Sequence, residues 1–129
     1  MNRKFFATGA FLGLIAIILG AFAAHGLKPK LTMDAMQSFE TGVRYQMYSS
    51  LFLLLLGLIP MNSENNRKFC FYLTLTGVIL FSGSIYLLST QAVTSIDFSG
   101  IALTTPIGGA LLISAWAVLL ISVLKLKKK

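Results

Sequence analysis

The stretch from Ser38 to Ile59 most constrains the fold, because a short apolar run follows directly on charged and polar residues. The apolar part, Met47 to Ile59, would form roughly 20 Å of helix, against about 30 Å of bilayer hydrocarbon. To cross a membrane this helix must extend back to about Glu40. Three further polar residues then reach the membrane edge, namely Arg44, Tyr45 and Gln46. Charge in a bilayer is costly, so such residues are usually paired or functional.

The composition indicates a membrane protein. Of 129 residues, 56% are hydrophobic and 12% are charged, and the mean hydropathy is +0.80, values that are unusual for a soluble domain. The net charge of +7 lies mostly at the ends of apolar segments, as expected of topology signals. We therefore expect the lipid bilayer, and no nucleic acid, as the partner. One cysteine and one histidine form no metal-binding motif, so we expect no metal and no cofactor.

Four segments are long enough to cross a bilayer, and they predict a four-transmembrane-helix bundle. The spans are placed at about residues 5–24, 40–59, 69–88 and 105–124. The second helix is expected to start near Met33, because the Thr32 hydroxyl can cap it. We expect the first helix to end at Gly26, which can adopt a left-handed turn, and at Pro29, which disfavours helix in the residue before it. We expect one all-α integral membrane domain over residues 1–129, with Asp97 as a turn residue in the last loop.

Lysine and arginine predict the orientation of this bundle. Eight basic residues fall on one side and three on the other, which together are the eleven of the chain. The larger group is Arg3, Lys4, Arg67, Lys68, Lys125, Lys127, Lys128 and Lys129, and the smaller is Lys28, Lys30 and Arg44. Both termini should therefore be cytoplasmic, in a multi-pass protein of the bacterial inner membrane.

Small residues predict close helix packing. Gly9 and Gly13 form a GxxxG motif in the first span, and Gly20 continues nearly the same face. We expect packing roles also for Gly83 and Gly109, and the stripe on the first span offers a surface for a homo-oligomer. The alternative is that glycine is simply common in membrane helices. Ala21-Phe22-Ala23 also resembles a signal-peptide cleavage site, but the apolar run exceeds the usual length of such signals.

The predicted topology gathers polar residues near the outer membrane face: His25, Glu40, Arg44, Tyr45, Gln46 and Tyr86. Glu40 and Arg44 are four residues apart on one helix face, in the favourable order for an ion pair. The pair either neutralises itself for insertion or forms part of a ligand site. His25 could titrate, bind a headgroup or cap helix carbonyls.

Four stretches resemble the domain-of-unknown-function family 423, small bacterial inner-membrane proteins that are similar to eukaryotic transmembrane protein 256. The stretches are GAFAAHGLK (20–28), FETGVRYQMYSSLFLLLLG (39–57), LFSGSIYLL (80–88) and TTPIGGALLISAW (104–116). The resemblance implies four membrane helices with cytoplasmic termini, and no activity that could be transferred. The family pattern often has histidine where this chain has Ser49, so a mechanism that needs a second histidine beside Arg44 could not operate here. The matching positions are His25, Gly26, Arg44, Tyr45, Gln46, Ser82, Gly83, Tyr86, Pro106 and Gly109.

We therefore expect a non-enzymatic protein that binds a lipid or serves as an accessory or scaffold subunit. Arg44 would contact an anionic group, and Glu40 and His25 would orient it. One alternative is a small proton-coupled transporter that uses Glu40 or His25, although the cytoplasmic halves of the spans lack charged residues to line a path. A second alternative is a lipid-modifying enzyme, which requires His25 near a nucleophile.

Overall fold

All regular structure is helical in the computed structural model, which describes residues 3–126. Helix α1 (Arg3–Phe22) continues into a π-helical turn (Ala23–Leu27), and α2 is Met33–Leu56. Helix α3 (Glu64–Val78) continues through a second π-helical turn (Ile79–Gly83) into α4 (Ser84–Ser89), and we call this continuous stretch the third helix. The short α5 (Gln91–Thr94) and a 3₁₀ turn (Ser99–Ile101) lead to α6 (Thr104–Leu124). The all-helical architecture expected from the sequence is confirmed.

Three helical stretches in the described part of the chain are long and apolar enough to cross a membrane. They are Arg3–Leu27, Glu64–Ser89 and Ser99–Leu124. Helix α2, with 24 residues, has the length but not the composition, because its first half carries Asp34, Glu40 and Arg44. The helix with the polar half thus differs in kind from its three neighbours.

The long helices pack antiparallel in chain order. Helix α2 lies between α1 and the α3–α4 helix, and α6 packs on α3. We call one end of the bundle the distal end; it is formed by Leu27, Met33, Ser89 and Thr104. The opposite, proximal end is formed by Arg3, Leu56, Glu64 and Leu124. Lys127, Lys128 and Lys129, on which part of the predicted orientation rests, lie outside the described residues.

Local signals explain several helix boundaries. The Thr32 side chain accepts a hydrogen bond of 3.1 Å from the Ala35 N–H, so the predicted cap is confirmed and α2 begins at Met33. Ser63 caps α3 in the same way, through a bond of 3.1 Å from the Asn66 N–H. The third helix therefore starts at Glu64, earlier than the apolar run alone predicts.

The end of the first helix differs from the prediction. The π-helical turn carries the chain through His25 and Gly26, and the Lys28 N–H donates to the Ala23 carbonyl at 3.0 Å. No glycine among residues 3–126 has a positive φ, so the left-handed turn expected at Gly26 is wrong. The chain turns instead at residues 28–31, a segment that includes Pro29.

Asp97 forms the turn expected of it. Its Oδ1 accepts a hydrogen bond of 2.9 Å from the Ser99 N–H, an arrangement typical of aspartate in loops. Hydrogen bonds from the Ser99 backbone and then its side chain lower the pKa of Asp97.

The glycines of α1 contact α2 within the same chain. A Cβ at Gly9 would lie 2.9 Å from the Ser50 carbonyl oxygen, and one at Gly13 would lie 2.7 Å from the Ser50 hydroxyl. Gly20 faces Val43 at an ordinary distance of 3.5 Å. Because α2 already covers this stripe, it does not offer the open surface for a homo-oligomer that the sequence suggested.

The closest approach of α3 to α6 occurs at Gly108. A Cβ there would overlap the backbone nitrogen of Phe81 and lie 2.7 Å from the Gly77 carbonyl oxygen. At the neighbouring Gly109 a Cβ would meet only the Phe81 ring, at 3.5 Å. At Gly83 it would meet nothing within 4 Å, because this glycine borders a groove between α1 and the third helix. Gly108, which the sequence did not distinguish, is the tight contact.

The adjacent glycines allow a matched test of this packing. We expect Gly108→Ala to lower the free energy of unfolding by about 1–3 kcal/mol, because the backbones of α3 and α6 must separate. Gly109→Ala should leave stability unchanged or raise it by up to about 1 kcal/mol, since alanine favours helix more than glycine does. Thermal unfolding of both purified variants in detergent measures the difference, and equal midpoints would contradict the close approach at Gly108.

Candidate functional site

Gln46 and Tyr86, two of the predicted site residues, are joined inside the bundle. The Gln46 side chain is 5% exposed, and its Nε2 donates to the Leu12 carbonyl of α1 at 2.8 Å. The Tyr86 hydroxyl donates to Gln46 Oε1 at 2.6 Å. This chain of bonds links α1, α2 and α4, so both side chains contribute to helix association.

His25, Glu40 and Arg44 lie at or near the distal end with exposed side chains. Glu40 and Arg44 share an outward stripe of α2 with Leu51 and Leu55, which are also exposed. Within residues 3–126 no ion pair joins Glu40 to Arg44, in contrast to the pairing that their spacing predicts. An exposed pair of this kind gains little free energy from contact, and here both side chains extend from the bundle surface.

Tyr45 lies beside this stripe and takes part in an aromatic cluster. Its ring centroid is 5.1 Å from that of Phe81 and 5.4 Å from that of Tyr48, both edge-to-face. Both tyrosines border a groove of about 520 Å³ between α2, the third helix and α6. The structure therefore separates the six predicted site residues into an internal pair, three exposed charged or titratable groups, and a tyrosine at a groove.

Arg67 forms a contact that sequence reasoning missed. Its side chain, 9% exposed, lies at the proximal end, where Nη1 donates to the Ile59 carbonyl at 2.9 Å and also to the Leu56 carbonyl. Its Nε donates to Glu64 Oε2 at 2.9 Å. From the sequence, Arg67 is interpreted only as a topology signal. The usable signal was the acid three residues before it, a spacing that lets two side chains meet on a helix.

The position of Arg67 explains how α2 ends. The last carbonyls of a helix have no partner within the helix and carry partial negative charge. The guanidinium, which has several donors, donates to the Leu56 carbonyl of α2 and to the Ile59 carbonyl in the turn that follows, and Glu64 compensates its charge. We call this group of contacts the Arg67 clamp.

Hydroxyl side chains make further bonds between the helices. Ser50 donates to the Gly9 carbonyl at 2.6 Å, and Ser82 donates to the Gly42 carbonyl at 2.7 Å. Such bonds satisfy polar groups where the bilayer offers no partner, and they fix the register of neighbouring helices.

The described residues form no metal-binding cluster. Across residues 3–126, no group of three or more histidine, cysteine, aspartate and glutamate side chains could hold a metal ion. The buried Cys70 thiol contacts the Ala115 carbonyl at 3.6 Å, so it packs α3 against α6.

These features define an integral membrane protein of the α-helical class, with polar contacts buried between helices and charged side chains toward the two ends. The model of the family described as protein of unknown function DUF423 matches residues 19–109, and the chain belongs to this family.

The relatives cover nearly the whole chain. The UPF0382 membrane protein SH2409 of Staphylococcus haemolyticus is 40% identical over 95% of this chain and 97% of its own. The UPF0382 membrane protein YwdK of Bacillus subtilis is 36% identical over 95% and 98%. A UPF0382 membrane protein of Haemophilus influenzae is 34% identical over 90% of each chain. No solved structure matches.

Removal of the Arg67 clamp should destabilise the protein. We expect Arg67→Met to lower the free energy of unfolding by about 1.5–3 kcal/mol, because carbonyls at the end of α2 lose a charged donor. Lys68→Met is the matched control, since Lys68 is exposed on the same helix turn. Chemical or thermal unfolding in detergent measures both; equal loss in the two variants would contradict the clamp.

The link between Gln46 and Tyr86 can be tested with a double-mutant cycle. We expect Gln46→Met and Tyr86→Phe to show a coupling of about 0.5–1.5 kcal/mol in unfolding free energy, because they share one hydrogen bond. Combining Gln46→Met with Tyr48→Phe should give additive losses, since no hydrogen bond joins that pair. Additive losses in the Tyr86 cycle would show that the bond contributes nothing.

Proposed function

We propose that the protein is a non-enzymatic accessory protein of the bacterial cytoplasmic membrane that binds an anionic lipid headgroup through Arg44. The observation that carries this proposal is the position of Arg44, exposed on the outward stripe of α2 and without an acidic partner in the described residues. A guanidinium in this setting is well suited to a phosphate, which it can contact through two hydrogen bonds.

The length of α2 supports a phosphate partner. From Arg44 to Leu56 the helix extends about 18 Å, less than the roughly 30 Å of bilayer hydrocarbon. With Leu56 near one boundary, Arg44 falls below the opposite headgroups, and its long side chain must extend toward them. The bilayer then supplies the anion that Glu40 does not supply.

Glu40 and His25 are placed to affect which headgroup binds. Both are exposed on the distal side of Arg44. The carboxylate would disfavour a second phosphate beside the first, while an amine or hydroxyl of the headgroup could contact either side chain. We assign them an orienting role.

The topology that goes with this proposal has four spans, including α2, and both termini in the cytoplasm. It follows from the excess of basic residues at the proximal end and from the position of α2 between α1 and the third helix. The distal end then faces outward. An oligomer would have to use a surface other than the α1 glycine stripe, because α2 covers that stripe.

A transport or enzymatic role receives less support from the same geometry. Glu40 and His25 are exposed on the outside of the bundle, whereas a proton-coupled path needs ionisable groups in its interior. In the described part of the chain, His25 makes no hydrogen bond to a hydroxyl group that it could activate.

Native mass spectrometry with phosphatidylglycerol tests the headgroup contact. We expect wild type to retain this lipid and Arg44→Gln to retain about tenfold less, because a charged hydrogen-bond partner is lost. Lys30→Gln, which removes an exposed charge from a loop at the distal end, should retain as much as wild type. Zwitterionic phosphatidylethanolamine serves as the comparison lipid. Equal retention by wild type and a folded Arg44→Gln variant would overturn the proposal.

A further inference from the structure

The groove between α2, the third helix and α6 opens toward the bilayer. Its volume is about 520 Å³, within the usual range for a bound small molecule of roughly 300–1,000 Å³. Ile113 and Trp116 border it and are 72% and 53% exposed. Apart from a few hydroxyl groups its lining is apolar. A hydrocarbon chain could therefore enter sideways from the membrane.

Ser49 is the exceptional residue of this groove. It is 4% exposed and lines the groove, yet its hydroxyl makes no hydrogen bond within residues 3–126. The other buried serines of the described chain all have partners: Ser50, Ser82, Ser84, Ser89 and Ser122. No fully buried side-chain polar atom of the described residues lacks a partner, so the Ser49 hydroxyl must be accessible from the groove. A donor without an acceptor is unfavourable in a membrane, and the hydroxyl therefore favours a ligand with an acceptor at that depth.

The order of groups along α2 matches the order of groups in a glycerophospholipid. Ser49 lies about 7.5 Å further along the helix axis than Arg44. Tyr48 lies between the two, one turn after Arg44. Deeper still, the Phe52 and Trp116 rings are 4.7 Å apart. In a phospholipid the phosphate is at the surface, the ester carbonyls follow a few bonds below, and the acyl chains continue inward.

We propose that the groove binds an ester-linked acyl chain of an anionic glycerophospholipid, with the ester carbonyl accepting a hydrogen bond from Ser49. This inference rests on the proposed function, because the same lipid has its phosphate at Arg44. The positive charge of Arg44 complements the phosphate, and the hydroxyl complements the carbonyl. A helix of a second copy, about 10 Å wide, is a poorer occupant of a groove of this volume.

Two lipids with the same headgroup and chain length distinguish this proposal from simple headgroup binding. Diacyl phosphatidylglycerol has ester carbonyls, and its dialkyl ether analogue lacks them. We expect wild type in native mass spectrometry to prefer the diacyl lipid about fivefold, as one hydrogen bond would give. Ser49→Ala should abolish the preference, and Ser114→Ala, which changes an exposed serine of α6, should preserve it.

A second variant tests the groove itself. Gly109 borders the groove, so the side chain of Gly109→Leu would occupy part of its volume. We expect this variant to retain both lipids several-fold less than wild type, with the unfolding midpoint measured alongside to show that it is folded.

The possible failures are distinguishable. If wild type and folded Arg44→Gln retain the same amount of phosphatidylglycerol, the headgroup site and the groove are overturned together. The second failure is one in which retention depends on Arg44 but is equal for the diacyl and dialkyl lipids. If retention is also unchanged in folded Gly109→Leu, this result would overturn the groove alone. A preference for the diacyl lipid that survives Ser49→Ala would place the carbonyl elsewhere and overturn the assignment of Ser49.

Discussion

Hydrogen bonds between side chains and backbone carbonyls of neighbouring helices hold α2 in the bundle. Gln46 donates to the Leu12 carbonyl and Ser50 to the Gly9 carbonyl, while the Gly42 carbonyl accepts from Ser82. Hydrocarbon offers no partners of its own, so a helix with a polar half must find them in adjacent helices. The glycines of α1 permit the short distances that these bonds require. In this fold the close packing of the helices is therefore what allows their polar groups to form hydrogen bonds.

Much of the architecture could be predicted because it depends on local properties. Apolar length locates the helices, and the Thr32 hydroxyl at the start of α2 acts within one turn. The choice between Gly108 and Gly109 could not be predicted in the same way. Both are glycines, adjacent in the sequence, and only the position of α3 decides which of them contacts a backbone.

The candidate site illustrates the same distinction. The spacing of Glu40 and Arg44 predicts an ion pair, but Glu64 and Arg67 form the pair found among residues 3–126. Burial makes the difference, since Arg67 also has carbonyl acceptors at Leu56, the end of α2, and at Ile59, in the turn that follows, which hold it in place. A pattern of charges along one helix indicates which contacts are sterically allowed. Whether such a contact forms depends on the burial and the further acceptors that neighbouring segments provide, and the charge pattern of one helix does not include these.

The Arg67 clamp has a consequence for biogenesis. The Leu56 carbonyl, at the end of α2, receives a donor from a residue that is synthesised after the helix, while Gln46 and Ser50 bond to a helix that is synthesised before it. The polar groups of α2 therefore have all of these hydrogen-bond partners only when α1 is still adjacent and α3 has been synthesised. The folding of α2 is therefore coupled to both of its neighbours in the sequence, to α1 through Gln46 and Ser50 and to α3 through Arg67.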